Sequence, residues 1–180
     1  MGMLQTFYPV MRSATAYGID YRGWYEKGKR ALLFDIDNTL VPHGAPADDK
    51  AVALFRELHR IGFRTCLISN NREPRVKSFA DRVGAQYLWK AGKPSPRGYE
   101  TACAMLQVTP EQTLFIGDQL FTDVWGAKRS GIRAILVGKI DPEEEIQIVL
   151  KRRLEAVVLF FYKRSAEYRE QEERWKSTVS

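Results

Sequence analysis

Short apolar runs alternating with amphipathic stretches of about ten residues predict an α/β fold: a three-layer, Rossmann-like parallel sheet flanked by helices. Three observations carry this. The runs, such as Ala31-Leu32-Leu33-Phe34, are apolar at every position, as in strands covered on both faces. Glycines stand where the amphipathic stretches end, at Gly62, Gly84 and Gly131. Polar, carboxylate-bearing clusters follow several of the runs, at the strand ends where ligands bind in such sheets.

The elements follow in order. The first strand is 31–34, running into Asp35. Residues 47–60 carry Val52, Phe55 and Leu58 at helical spacing, continued by Ile61 before Gly62. The second strand is 64–68, ending at Ser69-Asn70-Asn71. A helix over 73–83, a short third strand over 86–88 and a helix over 96–106 come next. The fourth strand is 114–116, ending at Gly117-Asp118; a helix over 122–130 and a fifth strand over 134–137 complete the core.

The chain has 180 residues, enough for one domain with its own core. Hydrophobic residues make up 44% and charged residues 28%, which excludes a disordered chain. The longest apolar run, 156–162, is too short to span a bilayer, and residues 1–10 show no secretory pattern. Cys66 and Cys103 lack metal spacing and read as buried, reduced thiols of a cytoplasmic protein. The formal charge of +6 favours acidic partners. We expect three segments: an N-terminal extension packing on the core (1–30), the core (31–140) and a basic amphipathic segment (141–180).

Four clusters carry the chemistry. Asp35-Ile36-Asp37-Asn38-Thr39 places two carboxylates two residues apart, straight after a strand. An Asx-rich turn ending a strand also explains that pair. Ser69-Asn70-Asn71 offers a hydroxyl and amides for a phosphoryl oxygen, or simply turn chemistry. Lys93, next to Pro94, is a point charge suited to phosphate. In Gly117-Asp118-Gln119-Leu120-Phe121-Thr122-Asp123, Asp118 offers oxygen to a hard cation, which suits Mg²⁺. Asp123 is also placed to cap a helix.

In order and strand-end placement, these clusters resemble the haloacid dehalogenase-like phosphatase superfamily over roughly residues 31–137. The family's Asp-x-Asp-x-Thr is matched by Asp35, Asp37 and Thr39, its hydroxyl residue by Ser69, its lysine by Lys93, and its Gly-Asp-x-x-x-Asp by Gly117, Asp118 and Asp123. The extended forms, Asp35 to Val41, Ser69 to Asn71, Lys93-Pro94 and Gly117 to Asp123, are similar to subfamily IIIA, in the branch that includes mitochondrial-type phosphatidylglycerophosphate phosphatases.

The resemblance implies a Mg²⁺-dependent phosphatase of that fold. Asp35 would be the nucleophile, Asp37 the acid and base, and Lys93 the neutralising cation. Ser69, Asn70, Thr39 and Lys93 would hold phosphate. Asp35, Asp118 and the Asp37 carbonyl would hold the metal, with Gly117 and Asp123 in support. Dehalogenases of the superfamily lack the second aspartate, so Asp37 favours phosphate chemistry.

Spacing bears on the substrate. Only 28 residues (41–68) separate Leu40 from Ser69, and 21 (72–92) separate Asn71 from Lys93. Each gap holds one helix and one strand, with no room for the cap domain that many relatives insert there. The capless, open site suits a phosphate on a large or membrane-held molecule, or one covered by a second subunit of a homo-oligomer. Phosphatidylglycerophosphate is the first substrate expectation; sugar phosphates, nucleotides or phosphoprotein are the soluble alternative.

Near the C-terminus, Ile146, Val149, Leu150, Leu154, Val157, Val158, Phe161 and Ser165 form a helical stripe flanked by Lys151, Arg152, Arg153, Lys163 and Arg164. It reads as a helix on an anionic bilayer, peripheral at the inner face of the membrane, or as one packed on its own sheet or a second subunit. The β-branched run 157–162 also permits a strand. Aromatics at Tyr8, Tyr17, Tyr21, Trp24 and Tyr25 suit cover for a sheet edge or contact with lipid. A non-catalytic module for RNA or a protein partner is the reading of another class; no clear nucleic-acid motif supports it.

Overall fold

The computed structural model describes residues 3–141, 146–164 and 168–169. Six parallel strands form one sheet in the order β1-β6-β5-β2-β3-β4. They are β1 (Met11–Ser13), β2 (Ala31–Phe34), β3 (Arg64–Ile68), β4 (Gln86–Leu88), β5 (Thr113–Gly117) and β6 (Arg133–Val137). The helices are α1 (Tyr21–Glu26), α2 (Asp49–Ile61), α3 (Glu73–Val83), α4 (Pro96–Leu106), α5 (Trp125–Arg129) and α6 (Ile146–Lys163).

β2 lies inside the sheet between β5 and β3, and all four of its residues are buried. Its side chains alternate between two cores. Leu32 and Phe34 join Phe55, Leu58, Val76 and Phe79 of α2 and α3 on one face. Ala31 and Leu33 join Tyr99, Ala102 and Ala127 of α4 and α5 on the other. This is the predicted three-layer arrangement.

The helices start and stop as their residues dictate. The Asp48 carboxylate accepts the Ala51 N–H at 2.7 Å to open α2. Gly62, at φ 110°, closes it in the left-handed region that favours glycine. Residues 41–68 are used by a turn, α2 and β3, and residues 72–92 by α3 and β4. No cap domain is inserted at either point.

The structure departs from expectation in two places. β1 is an unpredicted edge strand, pairing in parallel with β6; three residues are too few for a periodic signal. The predicted helix over 122–130 instead begins as a π-helical turn over Leu120–Val124 that runs into α5. There the Asp123 and Val124 N–H groups both reach the Gln119 carbonyl, at 2.9 and 3.2 Å, widening the turn. Residues 157–162 are helical, as the predicted stripe requires, and do not form the strand that their β-branched run also permitted.

The N-terminal aromatics cover the core. Tyr21 is buried, the Tyr17 hydroxyl donates to the Leu40 carbonyl at 2.5 Å, and Tyr25 meets Phe63 edge-on. Of α6, Val158 and Tyr162 are buried against the core, with the Tyr162 ring tilted against that of Tyr8, their centres 4.9 Å apart. Ser165 of the predicted stripe lies outside the described residues, as do the side chains of Ile146, Val149, Leu150 and Leu154. Among the described residues no helix is long and apolar enough to cross a membrane. Both cysteines are buried and free.

Candidate active site

The ladder between β2 and β5 runs one residue past Phe34: the Asp35 N–H donates to the Ile116 carbonyl at 3.0 Å. Asp35 therefore leaves the sheet at a fixed point, its carboxylate between the ends of β3 and β5. Ser69 and Asp118 follow those two neighbours. The folding of adjacent parallel strands brings together residues far apart in sequence.

At the centre is a buried charge cluster. The Lys93 ammonium lies 2.6 Å from Asp35 Oδ1 and 2.7 Å from Asp123 Oδ1. Burial works against that ammonium, but Asp123 and Asp35 hold its pKa above the ordinary lysine value. Burial pushes Asp35 up to about 6; Lys93 opposes the rise and Asp123 adds to it. Asp118 is pushed up to about 8 by burial and by the neighbouring Asp35 and Asp123. The Thr39 hydroxyl lies 3.4 Å from Asp35 Oδ2 and 3.3 Å from Asp118 Oδ1, and its one proton serves one of them at a time.

Asp37 lives differently. Its Oδ1 accepts the Gly44 N–H at 2.8 Å and an Arg75 Nη2 contact at 3.0 Å. Its Oδ2 lies 3.4 Å from Asn71 Nδ2. Burial alone would raise its pKa; the Gly44 N–H and Arg75 outweigh burial and hold it below the usual carboxylate value.

The loops that deliver these groups are tied to one another. The Asn70 side chain accepts the Lys93 N–H at 2.8 Å and donates to the Lys93 carbonyl at 3.1 Å. Its amide is thus spent on the lysine's main chain, while the Ser69 hydroxyl accepts the Asn71 N–H at 3.1 Å. Asp123 Oδ2 accepts the Gln119 N–H at 3.1 Å. A Cβ at Gly117 would overlap the Asp123 carboxylate, so only glycine lets the strand end approach it. From α4, the buried Tyr99 hydroxyl donates to the Thr122 carbonyl at 2.9 Å and supports the π-helical turn from beneath.

All the residues expected from sequence meet at this end of the sheet. Three that sequence reasoning did not single out join them: Arg75, Gly44 through its N–H, and Tyr99. Arg75 had one available signal, its place in the first turn of the helix that follows Ser69-Asn70-Asn71.

Ligand oxygens of Asp35, Asp118 and Asp123 lie within 4.8 Å of one another. Both Asp123 oxygens already have partners. Asp118 Oδ2 is buried without one among the described residues, a costly state for a carboxylate oxygen. Carboxylates of three aspartates, one of them bearing the orphaned Asp118 Oδ2, fit a hard divalent cation.

A Bacillus subtilis (strain 168) protein named "Probable phosphatase YqeG" is 33% identical over 140 residues, which is 77% of this chain and 81% of that protein. The haloacid dehalogenase-like hydrolase family pattern matches residues 43–131. This chain belongs to the haloacid dehalogenase-like hydrolases. The family match begins just after the Asp35 loop and takes in Ser69, Lys93, Asp118 and Asp123. Solved structures agree on the family fold. The chain is similar to a HAD phosphatase from Thermococcus onnurineus, with a TM-score of 0.53 at 13% identity, covering 65% of this chain and 89% of that one. It is also similar to 3-deoxy-D-manno-octulosonate 8-phosphate phosphatase from Yersinia pestis, with a TM-score of 0.52 at 18% identity, covering 69% and 72%.

Proposed function

We propose that this haloacid dehalogenase-like phosphatase is a Mg²⁺-dependent phosphomonoester hydrolase of subfamily IIIA, working through an aspartyl-phosphate at Asp35, with phosphatidylglycerophosphate as its first candidate substrate. The observation that carries the reading is the pairing of a strand-end carboxylate, Asp35, with the Lys93 ammonium at 2.6 Å, beside an Asp118 oxygen lacking a protein partner.

Asp35 attacks phosphorus, and the bond to the leaving oxygen breaks as the aspartyl-phosphate forms. Lys93 neutralises phosphoryl charge so that an anionic nucleophile can approach. Ser69 and the main chain at Asn70 hold a phosphoryl oxygen, and Thr39 orients Asp35. Asp37 serves as acid and base: in its protonated form, which the approach of the anionic substrate favours, it gives a proton to the departing oxygen, and as the carboxylate it takes one from the water that hydrolyses the intermediate. Asp35, Asp118 and the Asp37 carbonyl would hold Mg²⁺, with Asp123 fixing the loop. When bound, the ion supplies further charge neutralisation at the phosphoryl group.

Two features support a large, lipid-held substrate. The site has no cap domain. On α6, Val157, Phe160 and Phe161 are exposed beside Lys163, with the Arg164 guanidinium 3.9 Å from the Phe160 ring centre. Such a face suits the headgroup region of an anionic membrane. A panel of phosphatidylglycerophosphate, sugar phosphates, nucleotides and p-nitrophenyl phosphate, run with Mg²⁺ and with EDTA, tests the reading. Highest kcat/KM on the lipid, lost in EDTA, is expected; turnover that survives EDTA would sink the metal assignment. Sedimentation with anionic vesicles at low salt tests the membrane contact, and no binding would count against it.

A further inference from the structure

We infer that Arg75 is the binding site for a second anionic group carried on the leaving group of the substrate, which makes it a specificity-determining residue. The inference rests on the phosphomonoesterase reading, in which Asp37 faces the leaving oxygen.

The contacts of Arg75 leave most of its binding capacity unspent. It sits in the first turn of α3 and meets Asp37 through Nη2 alone, at 3.0 Å. Its Nε is buried and has no hydrogen-bond partner among the described residues. An Arg–carboxylate contact of full strength uses two nitrogens side by side; this one uses a single nitrogen. Nor does Asp37 need the guanidinium for its orientation. The Gly44 N–H holds the same oxygen at 2.8 Å, and Asn71 Nδ2 stands at 3.4 Å from the other.

The guanidinium is also held and reachable. Its centre lies 5.5 Å from the Phe79 ring, which supports it from the core side. Its side chain keeps 18% of its exposure, against 3% for Lys93. The nearby Glu73 does not claim it; that carboxylate accepts the Tyr87 hydroxyl at 3.3 Å. The two cations of the site thus divide the work. Lys93, enclosed by Asp35 and Asp123, serves the transferred phosphoryl group. Arg75, in direct contact with the proton donor Asp37, has donors left for a phosphodiester or carboxylate a few bonds past the breaking ester. A neutral leaving group would leave those donors idle.

Three substrates that share one attacked ester test this: glycerol 3-phosphate, its derivative with a glyceryl phosphodiester on the far hydroxyl, and 3-phosphoglycerate. Arg75→Ala should slow all three, because Asp37 loses a neighbour. It should lower kcat/KM for the anionic pair by roughly tenfold more than for glycerol 3-phosphate, chiefly through KM. Arg75→Lys should recover part of that difference. A loss confined to one anionic substrate identifies which anion the site takes. Equal losses on all three, within about twofold, would overturn the inference and leave Arg75 a strut for Asp37. Calorimetry in the Asp35→Asn background reads binding without turnover: adding Arg75→Ala should weaken the anionic ligands selectively. If the wild-type chain hydrolyses no phosphomonoester, the enzymatic reading fails, while this binding comparison still decides the anion site.

Discussion

Asp35 and Asp37 share one loop, two residues apart, and meet opposite environments. Asp35 sits at the end of a central strand, enclosed with Lys93, Asp118 and Asp123, and burial drives its pKa up to about 6. Asp37 lies at the rim, where Gly44 and Arg75 hold its pKa down. The inner region is crowded with carboxylates and short of cations, so it suits a positively charged ion and an attack on phosphorus. The outer region has donors to spare, so it suits a leaving group. The difference teaches that the sheet itself sorts the two carboxylates. The ladder bond from Asp35 to Ile116 keeps the first with the strand, and the turn after it carries the second outward.

The comparison breaks most sharply at Asp35. Asp35→Asn should lower Mg²⁺-dependent hydrolysis of p-nitrophenyl phosphate by roughly 10³-fold or more, and near-normal turnover would remove Asp35 from the nucleophile's role. Asp37→Asn should cost about 10²- to 10⁴-fold on an alkyl phosphate. On p-nitrophenyl phosphate, whose leaving group needs little proton assistance, that variant should show a burst of nitrophenol as phosphoenzyme accumulates. Absence of both the slowing and the burst would mean that the outer carboxylate is not the acid and base.

Asn70→Ala sharpens the inner half without removing a charge. Losing two hydrogen bonds to the Lys93 main chain costs about 1–2 kcal/mol of ordering, or roughly tenfold in kcat. Unchanged kcat would show that Lys93 is held by its carboxylates alone.

The smallest effect concerns metal and pH. In the metal-free fold, Asp35 and Asp118 have pKa values of about 6 and about 8, raised from the ordinary 3.8. A raised carboxylate binds protons more tightly when folded, so the stability these two groups contribute is greatest at acid pH and is lost as pH climbs from about 4 to about 8. Mg²⁺ bound at these carboxylates, as proposed, would relieve the same repulsion. It should therefore raise Tm by more at pH 8 than at pH 5.5, as read by calorimetry; equal shifts would argue against the buried carboxylates as its site.

Most of the core was legible because its inner strands carry apolar runs such as Ala31–Phe34 and because α2 and α3 close on Gly62 and Gly84. β1 was not, since Met11-Arg12-Ser13 carries no period and is recruited by the free edge of β6. The π-helical turn at Leu120–Val124 escaped because its cause is tertiary: Asp123 is drawn toward Lys93, a residue from another loop. In the site, motif spacing pointed to Asp35, Asp37, Ser69, Lys93 and Asp118. Arg75 had only its place in the first turn after Ser69-Asn70-Asn71 as a signal, because its contact with Asp37, in the loop after β2, is tertiary. Asn70 was expected at the phosphate through its main chain; the role of its side chain, committed to Lys93, was not legible because the partnership pairs residues 23 positions apart.

Gly117 carries no charge and forms none of the contacts described for the carboxylates, yet even a methyl group there would occupy the space of the Asp123 carboxylate. Displacing that carboxylate would pull on Lys93, and through Lys93 on Asp35. Position 117 is therefore closed to every other amino acid for reasons of volume, and a mutational survey that scored residues by polarity would pass over one of the least replaceable sites in the chain.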